Sequence, residues 1–157
     1  MPITKRWAIT QNLKQANDYV TDENKCLIID NDLKKVFQYT INETKTKNMN
    51  DDDIDVTIKS MNNRLVSGIN CNPNHAVEEM ERVQRHYDTD KDNKIAYHQV
   101  QSFNYNDPVD AIQVHQMGIE LAKRMYPNYQ VLVTTHQDKA HLHNHFIINA
   151  TSFDVSI

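Results

Sequence analysis

Four of the eight histidines of this chain lie in one short stretch, HQDKAHLHNHFIIN, which covers residues 136–149. An alternating apolar pattern in the second half of this stretch predicts a β-strand. Because successive side chains of a strand point to opposite faces, His141, His143 and His145 are expected to share one face. Such a cluster predicts a metal-binding segment rather than a set of solvated surface histidines.

The spacing limits how many of these histidines can bind one ion. Neighbours in the alternating set are about 7 Å apart at Cα, a separation that two imidazoles can bridge. The outer two are about twice as far apart, so the strand supplies two ligands and a third must come from elsewhere. His136, across the short polar turn QDKA, is the natural third ligand, although a regular hairpin would pair it with His141. Reach alone leaves open whether the strand pair is His141 and His143 or His143 and His145.

Three imidazoles suit Zn, Mn, Ni or Co and leave coordination positions for water or substrate, as in catalytic sites. Asp138 fits two roles equally well. Metal-bound imidazoles usually donate their second N–H to a carboxylate or a similar acceptor, which would make Asp138 a partner of His136. Asp is also an ordinary turn residue.

The composition bounds the class of protein. A chain of 157 residues with 39% apolar residues, two Gly and four Pro fits one globular domain without a flexible linker. Cys26 and Cys71 form neither a disulfide framework nor a CxxC pair. We expect a soluble cytoplasmic protein, because no apolar span or signal-peptide core occurs. The formal charge of −4 argues against a nucleic-acid binder. The ending NATSFDVSI stops within strand-like sequence, so we expect residues 1–157 to be one domain that continues at its C-terminal side.

Hydrophobic periodicity predicts an α+β fold in which a central antiparallel sheet carries helices on one face. The predicted strands are 3–9, 94–103, 128–136 and 141–153. The predicted helices are 11–20, 30–41, 72–87 and 107–126, with Asn72 and Asp107 as caps of the last two, and a short helix is expected within 53–65.

A near-repeat suggests tyrosines with a chemical task. The stretches LKQANDYVTDENKC and LKKVFQYTINETKT share the frame L-K-x-x-x-x-Y-x-x-x-E-x-K, with Tyr19 and Tyr39 at corresponding positions. A duplicated helix-end pattern without any chemistry explains the repeat equally well.

Several stretches together resemble a known family. HQDKAHLHNHFIIN fits the pattern H-x-D-x-x-H-x-H-x-H-x-x-x-N and resembles motif III of the MOB-P class of mobilisation relaxases (MobA/VirD-type), within the HUH endonucleases of plasmids and integrative elements. AYHQVQSF at 96–103 is similar to their central motif, and LVSGINCNPNHAVEEM at 65–80 to the segment before it. The opening residues 1–26 resemble motif I, in which a strand leads to the helix with the catalytic tyrosine.

The resemblance implies a metal-dependent relaxase that nicks DNA at an origin of transfer. A tyrosine hydroxyl would attack one phosphodiester, leaving a covalent 5′-phosphotyrosine and a free 3′ hydroxyl. The family's ligand spacing implies His136, His143 and His145 as ligands of Mn, Mg, Zn, Ni or Co, with His141 as a neighbour. Its partners would be single-stranded DNA, relaxosome accessory proteins and a type IV secretion coupling protein.

Tyr19 follows the first strand as the family pattern requires, whereas Tyr39 has the better INETKT ending, so Tyr19 is favoured and Tyr39 stays open as nucleophile or as acceptor of a second strand. Asp138 would orient His136 or accept a proton. Backbone phosphates are met by cations and small polar groups. Candidates for such contacts are Ser102, Lys14, Lys25 and Lys45.

Two other function classes remain open. A metal-dependent nuclease could activate water instead of a tyrosine, but it would need a base, and only Asp138 is available nearby. A non-catalytic DNA-binding replication or mobilisation module could use the histidines for a structural metal. Structural zinc sites are usually rich in cysteine, which this cluster is not.

Overall fold

A computed structural model describes residues 3–26, 58–61, 64–87, 94–137 and 141–153. The predicted helix at 30–41 and the candidates Tyr39, Lys45 and Asp138 lie outside these residues. The described strands are β1 (Ile3–Ile9), β2 (Ile58–Ser60), β3 (Val66–Ile69), β4 (Ala96–Ser102), β5 (Val131–His136) and β6 (His143–Asn149). The described helices are α1 (Leu13–Val20), α2 (Glu23–Cys26), α3 (Ala76–His86) and α4 (Ala111–Met125), and a 3₁₀ turn, Pro73–His75, precedes α3.

The six strands form one sheet in the order β1-β4-β6-β5-β3-β2, and every neighbouring pair is antiparallel. The predicted α+β class and antiparallel sheet are therefore confirmed. The β5–β6 hairpin lies at the centre, where both strands are paired on both sides. None of the described helices is long and apolar enough to cross a membrane.

The helices cover both faces of the sheet, not the single face expected. On one face, Leu132 and Ile147 pack in a cluster with Leu13 of α1 and Met80 of α3. On the other face, the alternate residues of the same strands pack with α4, chiefly through Ile119. The central strands are apolar on both faces, so each face has to be covered by a helix to remove it from water.

Two local predictions differ from the structure. Residues 58–60 form strand β2 rather than a short helix, because they pair with β3 at the edge of the sheet. Helix α4 is capped by Asp110 instead of Asp107, since the Asp110 carboxylate accepts from the backbone N–H of Gln113 and the Gln113 side chain accepts from the Asp110 N–H. With this capping box, the helix begins three residues later than the predicted cap at Asp107 implied.

A buried polar chain crosses the α4 face of the sheet. His115 of α4 is fully buried and joins Ser67 through Nε2 at 2.7 Å and Thr135 through Nδ1 at 2.8 Å. Thr135 donates to the Oδ1 of Asn144 at 2.6 Å, so its oxygen accepts from the Nδ1–H of His115. Burial lowers the pKa of His115 to about 3, so the ring is neutral and its Nε2 accepts from Ser67. This series of hydrogen bonds therefore connects α4 to strands β3, β5 and β6 while His115 is neutral.

We expect Gly118→Ala to destabilise the protein although Ala favours helices by about 1 kcal/mol over Gly. A methyl group at Gly118 would lie 2.7 Å from Asn144 Nδ2 and 3.1 Å from Val133 Cγ1. The amide cannot yield easily, because it donates to the Val114 carbonyl at 2.7 Å. A loss of about 1–3 kcal/mol in the free energy of unfolding is expected from urea denaturation. Met117→Ala, at an exposed position of the same helix, is the control and should change stability by less than about 0.5 kcal/mol.

Candidate active site

The register of the β5–β6 hairpin determines which histidines meet. His136 pairs with His143. A regular hairpin would have paired it with His141. Directly paired residues share a face, so His136, His143 and His145 all lie on the face covered by α1 and α3. His141 precedes β6 and is exposed, with its ring 5.9 Å from that of Tyr105.

The three rings lie close together but are not equally spaced. The centroids of His136 and His145 are 4.1 Å apart, and those of His143 and His145 are 6.4 Å apart. His136 and His145 are buried, whereas His143 at the end of the strand is half-buried. The site is thus open at the His143 side and closed beneath His136 and His145.

The backbone of α1 is joined to this cluster. His136 Nε2 donates to the Val20 carbonyl at 3.0 Å, and the Cys26 thiol donates to the same oxygen at 3.2 Å. Beyond it, the Gln137 N–H donates to the Lys25 carbonyl at 3.0 Å. Since α1 has too few residues to be stable alone, these bonds and its buried residues fix where it ends relative to β5.

Tyr19 precedes Val20 at the end of α1, and this anchoring brings its ring onto the histidines. Its centroid lies 5.6 Å from that of His136 and 5.7 Å from that of His145, edge-on to both. The Lys25 ammonium lies 4.4 Å from the centre of the Tyr19 ring. The side chain of Tyr19 is 46% exposed, so it can contact a macromolecular substrate.

His98 of β4 is a member of the site that the sequence analysis did not assign to it. Its Nε2 lies 2.9 Å from Nδ1 of His145. In the tautomer where His145 donates in this bond, the lone pair of His145 is on Nε2. Alternation within AYHQVQSF assigns His98 to a face with Ser102, but only the pairing of β4 with β6 shows that this is the histidine face.

Burial keeps the inner imidazoles neutral. Desolvation, followed by the charge of His136, lowers the pKa of His98 to about 4. Desolvation, followed by the neighbouring histidines and Lys25, lowers the pKa of His145 to about 2. Neutral imidazoles are the form that coordinates metals.

The donor set fits a divalent cation. His136 donates from Nε2 to a backbone carbonyl, the usual second bond of a metal-bound imidazole, so its lone pair is on Nδ1. Thr134, directly opposite His145, is buried with a hydroxyl that has no hydrogen-bond partner among the described residues, and a water or ligand atom would satisfy it. Within the described part of the chain, no three His, Cys, Asp or Glu side chains already have a metal-binding arrangement. The chemistry of the donors, rather than a formed coordination shell, is what fits.

The DNA-contact candidates are dispersed. Ser102 pairs directly with His143 in the register and is half-buried at the open side of the site. Lys25 lies over Tyr19, as described above. Lys14 is exposed at the other end of α1 and forms an ion pair with Asp18 at 2.9 Å, and each of these charges shifts the pKa of the other toward its charged form.

Comparisons with known proteins show which family this chain resembles. A family model described as relaxase, MobA/VirD2-like, nuclease domain, matches residues 19–156. A Staphylococcus aureus protein named rlx is 40% identical over 89 residues, which is 56% of this chain and 27% of that protein. The group II intron-interrupted relaxase LtrB of Lactococcus lactis subsp. cremoris is 25% identical over 170 residues, covering 90% of this chain and 28% of that protein. The chain thus spans about a quarter of the length of these relatives. No solved structure matches it significantly.

We expect the free energy of unfolding to fall as the pH falls from about 6.5 to 5. The unfolded histidines take up protons near pH 6.5, whereas burial lowers the folded pKa of His98 to about 4 and that of His115 to about 3. The unfolded state therefore binds more protons in this window, and stability rises with pH by up to about 1.4 kcal/mol per unit for each fully buried group. Urea denaturation at stepped pH measures the slope. His115→Gln should make it shallower, whereas replacing the exposed His86 by Ala should leave it unchanged; a flat wild-type profile would contradict the burial argument.

We expect His98→Ala to weaken divalent-metal binding by about 10–100-fold, because it removes the group that holds the His145 ring. Isothermal titration with Mn²⁺ measures the affinity. The matched control is His86→Ala, which removes an exposed histidine in the last turn of α3 that is not a member of the cluster. Equal affinity in the His98 variant and the wild type would show that His145 needs no such support.

Proposed function

The chain belongs to the relaxases with a MobA/VirD2-like nuclease domain, and from this membership we propose that it nicks single-stranded DNA at an origin of transfer through Tyr19. The observation that carries the proposal is the position of the Tyr19 ring, 5.6 Å from the His136 ring and 5.7 Å from the His145 ring. A nucleophile and the groups that hold the scissile phosphate have to lie within one substrate's reach. In the described part of the chain, Tyr19 is the tyrosine with ring contacts to two of the proposed ligands.

The proposed reaction is a transesterification. The Tyr19 hydroxyl attacks the scissile phosphorus, a bond forms between its oxygen and phosphorus, and the bond to the 3′ oxygen breaks. The phenol proton leaves during the attack, and the departing 3′ oxygen ends as a hydroxyl. The 5′ phosphate stays on Tyr19, so the energy of the phosphodiester is kept for a later rejoining step.

His136, His143 and His145 are the proposed ligands of a divalent metal. When bound, such an ion would supply positive charge for the non-bridging oxygens of the scissile phosphate. Lys25 adds a second positive charge beside the Tyr19 ring. The Val20 carbonyl orients His136, and His98 orients His145, so the imidazoles need little rearrangement when substrate binds.

Ser102 and Lys25 are the described residues that we propose to contact the DNA near the cleaved bond. Ser102 pairs with His143 and offers a hydroxyl, and hydroxyl groups commonly bind phosphate oxygens. Lys14 is a weaker candidate because its charge is already paired with Asp18. Lys45 remains a proposal from the sequence alone, as do Asp138 as partner of His136 and Tyr39 as acceptor of a second strand.

The wider process follows from the family rather than from these residues. We propose that the full protein begins conjugative transfer or mobilisation in the bacterial cytoplasm, together with relaxosome accessory proteins and a type IV secretion coupling protein. The metal that we propose is one of Mn, Mg, Zn, Ni and Co, and the rate of nicking with each ion ranks them.

The decisive experiment is a covalent-adduct assay. Single-stranded oligonucleotides that tile the DNA around the encoding gene are incubated with the chain and Mg²⁺ or Mn²⁺, then separated in SDS. We expect one oligonucleotide to give an SDS-resistant adduct and a fragment with a free 3′ hydroxyl. Tyr19→Phe should reduce adduct formation by at least about a thousand-fold, since it removes the nucleophile.

Tyr39→Phe is the matched control and should leave the first adduct in place. Two fragments without any adduct would mean that water is the nucleophile, and binding without cleavage would mean a non-catalytic module. Loss of the adduct in Tyr39→Phe with retention in Tyr19→Phe would transfer the nucleophile to Tyr39.

A further inference from the structure

Trp7 is a large aromatic side chain left half-exposed beside the candidate site. It is the only tryptophan of the chain and is 48% exposed on β1, which lies at one end of the strand order among the described residues. Its neighbours on the same face, Ile3 and Lys5, are exposed as well. Because tryptophan side chains are on average largely buried, the exposure of Trp7 leaves a large aromatic face available to a ligand.

The sheet register connects Trp7 to the histidines. Trp7 pairs with His98, and Lys5 pairs with Val100, which itself pairs with His145. The face of β1 that carries Trp7 and Lys5 is therefore the histidine face, two strands away from β6. An extended polymer ligand lying across this face would pass from the histidines over β4 to β1.

The ring contacts form a continuous series. The Tyr19 ring lies 5.7 Å from that of His145, the His145 ring 5.1 Å from that of His98, and the His98 ring 4.5 Å from that of Trp7. His98 supports one side of the indole at an interplanar angle of 39°. Support of this kind holds the indole in one orientation while about half of its surface stays accessible.

An exposed, oriented aromatic ring beside a cation is the usual arrangement for binding a single-stranded nucleic acid. Every base has a flat face that stacks on an aromatic side chain, and the phosphate next to it is met by Lys or Arg. Lys5, two residues before Trp7, lies on the same face and closer in register to His145. The charge is thus on the side of Trp7 toward the proposed scissile phosphate.

We propose that Trp7 stacks on a base of the single-stranded DNA close to the scissile phosphate and that Lys5 contacts the intervening backbone. This inference rests on the proposed function, which supplies the DNA strand. It adds a subsite that fixes the position of the strand along the sheet and so helps to select the phosphate that meets Tyr19.

Fluorescence of Trp7 tests the proposal directly, because no other tryptophan contributes. Tyr19→Phe protein, which should bind without cutting, is titrated with the oligonucleotide that forms the adduct, in Mg²⁺ because Mn²⁺ quenches emission. Stacking should quench the emission. Replacing single nucleotides by abasic sites should abolish the quench at one or two adjacent positions only.

Substitutions separate stacking from simple packing on His98. In the Tyr19→Phe background, Trp7→Leu should weaken DNA binding about ten-fold, whereas Trp7→Phe should retain most of the affinity. Lys5→Gln should reduce the slope of log affinity against log salt by roughly 0.7. Met117→Ala changes an apolar residue of similar exposure on α4, across the sheet, and should bind as the parent does.

Each result decides the matter. An unchanged emission on DNA binding, or equal affinities for Trp7→Leu and its parent, would overturn the stacking subsite. So would Trp7→Phe binding as weakly as Trp7→Leu, since the loss would then not come from an aromatic face. Failure of the proposed function is a separate observation, namely wild-type protein that forms no covalent adduct with any oligonucleotide while Trp7 still reports binding.

Discussion

The pairing of His136 with His143 across the β5–β6 hairpin is the constraint on which the site depends. It brings a third imidazole onto the face that already carries His143 and His145. It also directs the Nε2 of His136 to the Val20 carbonyl, which anchors α1 and with it Tyr19. Because side chains alternate, a slip of one residue would turn His136 away from His143 and remove this anchor.

The same two strands carry a second set of polar residues on their opposite face. Thr135 and Asn144 alternate with the histidines and bind each other at 2.6 Å within the buried chain that includes His115. A register slip would leave these buried groups without partners, which costs more than the loss of an exposed hydrogen bond. The α4 face thus specifies the register that the histidine face needs, and Gly118 is the residue whose small size lets α4 approach Asn144 closely enough.

Much of the fold and part of the site could be predicted from the sequence, because they depend on local patterns. Alternation correctly assigned His143 and His145 to one face, and helical spacing located the helices now described as α3 and α4. The pairing of strands is not a local property, so the hairpin register, the role of His98 and the strand at 58–60 could not be obtained in this way. The two-sided arrangement of helices was also missed, although strands as apolar as VLVTT and FII are typical of a sheet buried on both faces.

The net charge of −4 and the binding of DNA are compatible if affinity comes from short-range contacts. At physiological salt, charges more than about 8 Å apart are largely screened, so distant carboxylates repel a bound phosphate only weakly. Close to the site, Lys25 lies over Tyr19, and on α4 behind the sheet Glu120 is paired with Lys123 and Arg124. A protein with this distribution gains little from long-range attraction of DNA. Under the proposed function, its discrimination between DNA sequences would arise after contact, where rings, hydroxyls and a few cations on one sheet face would meet a single strand.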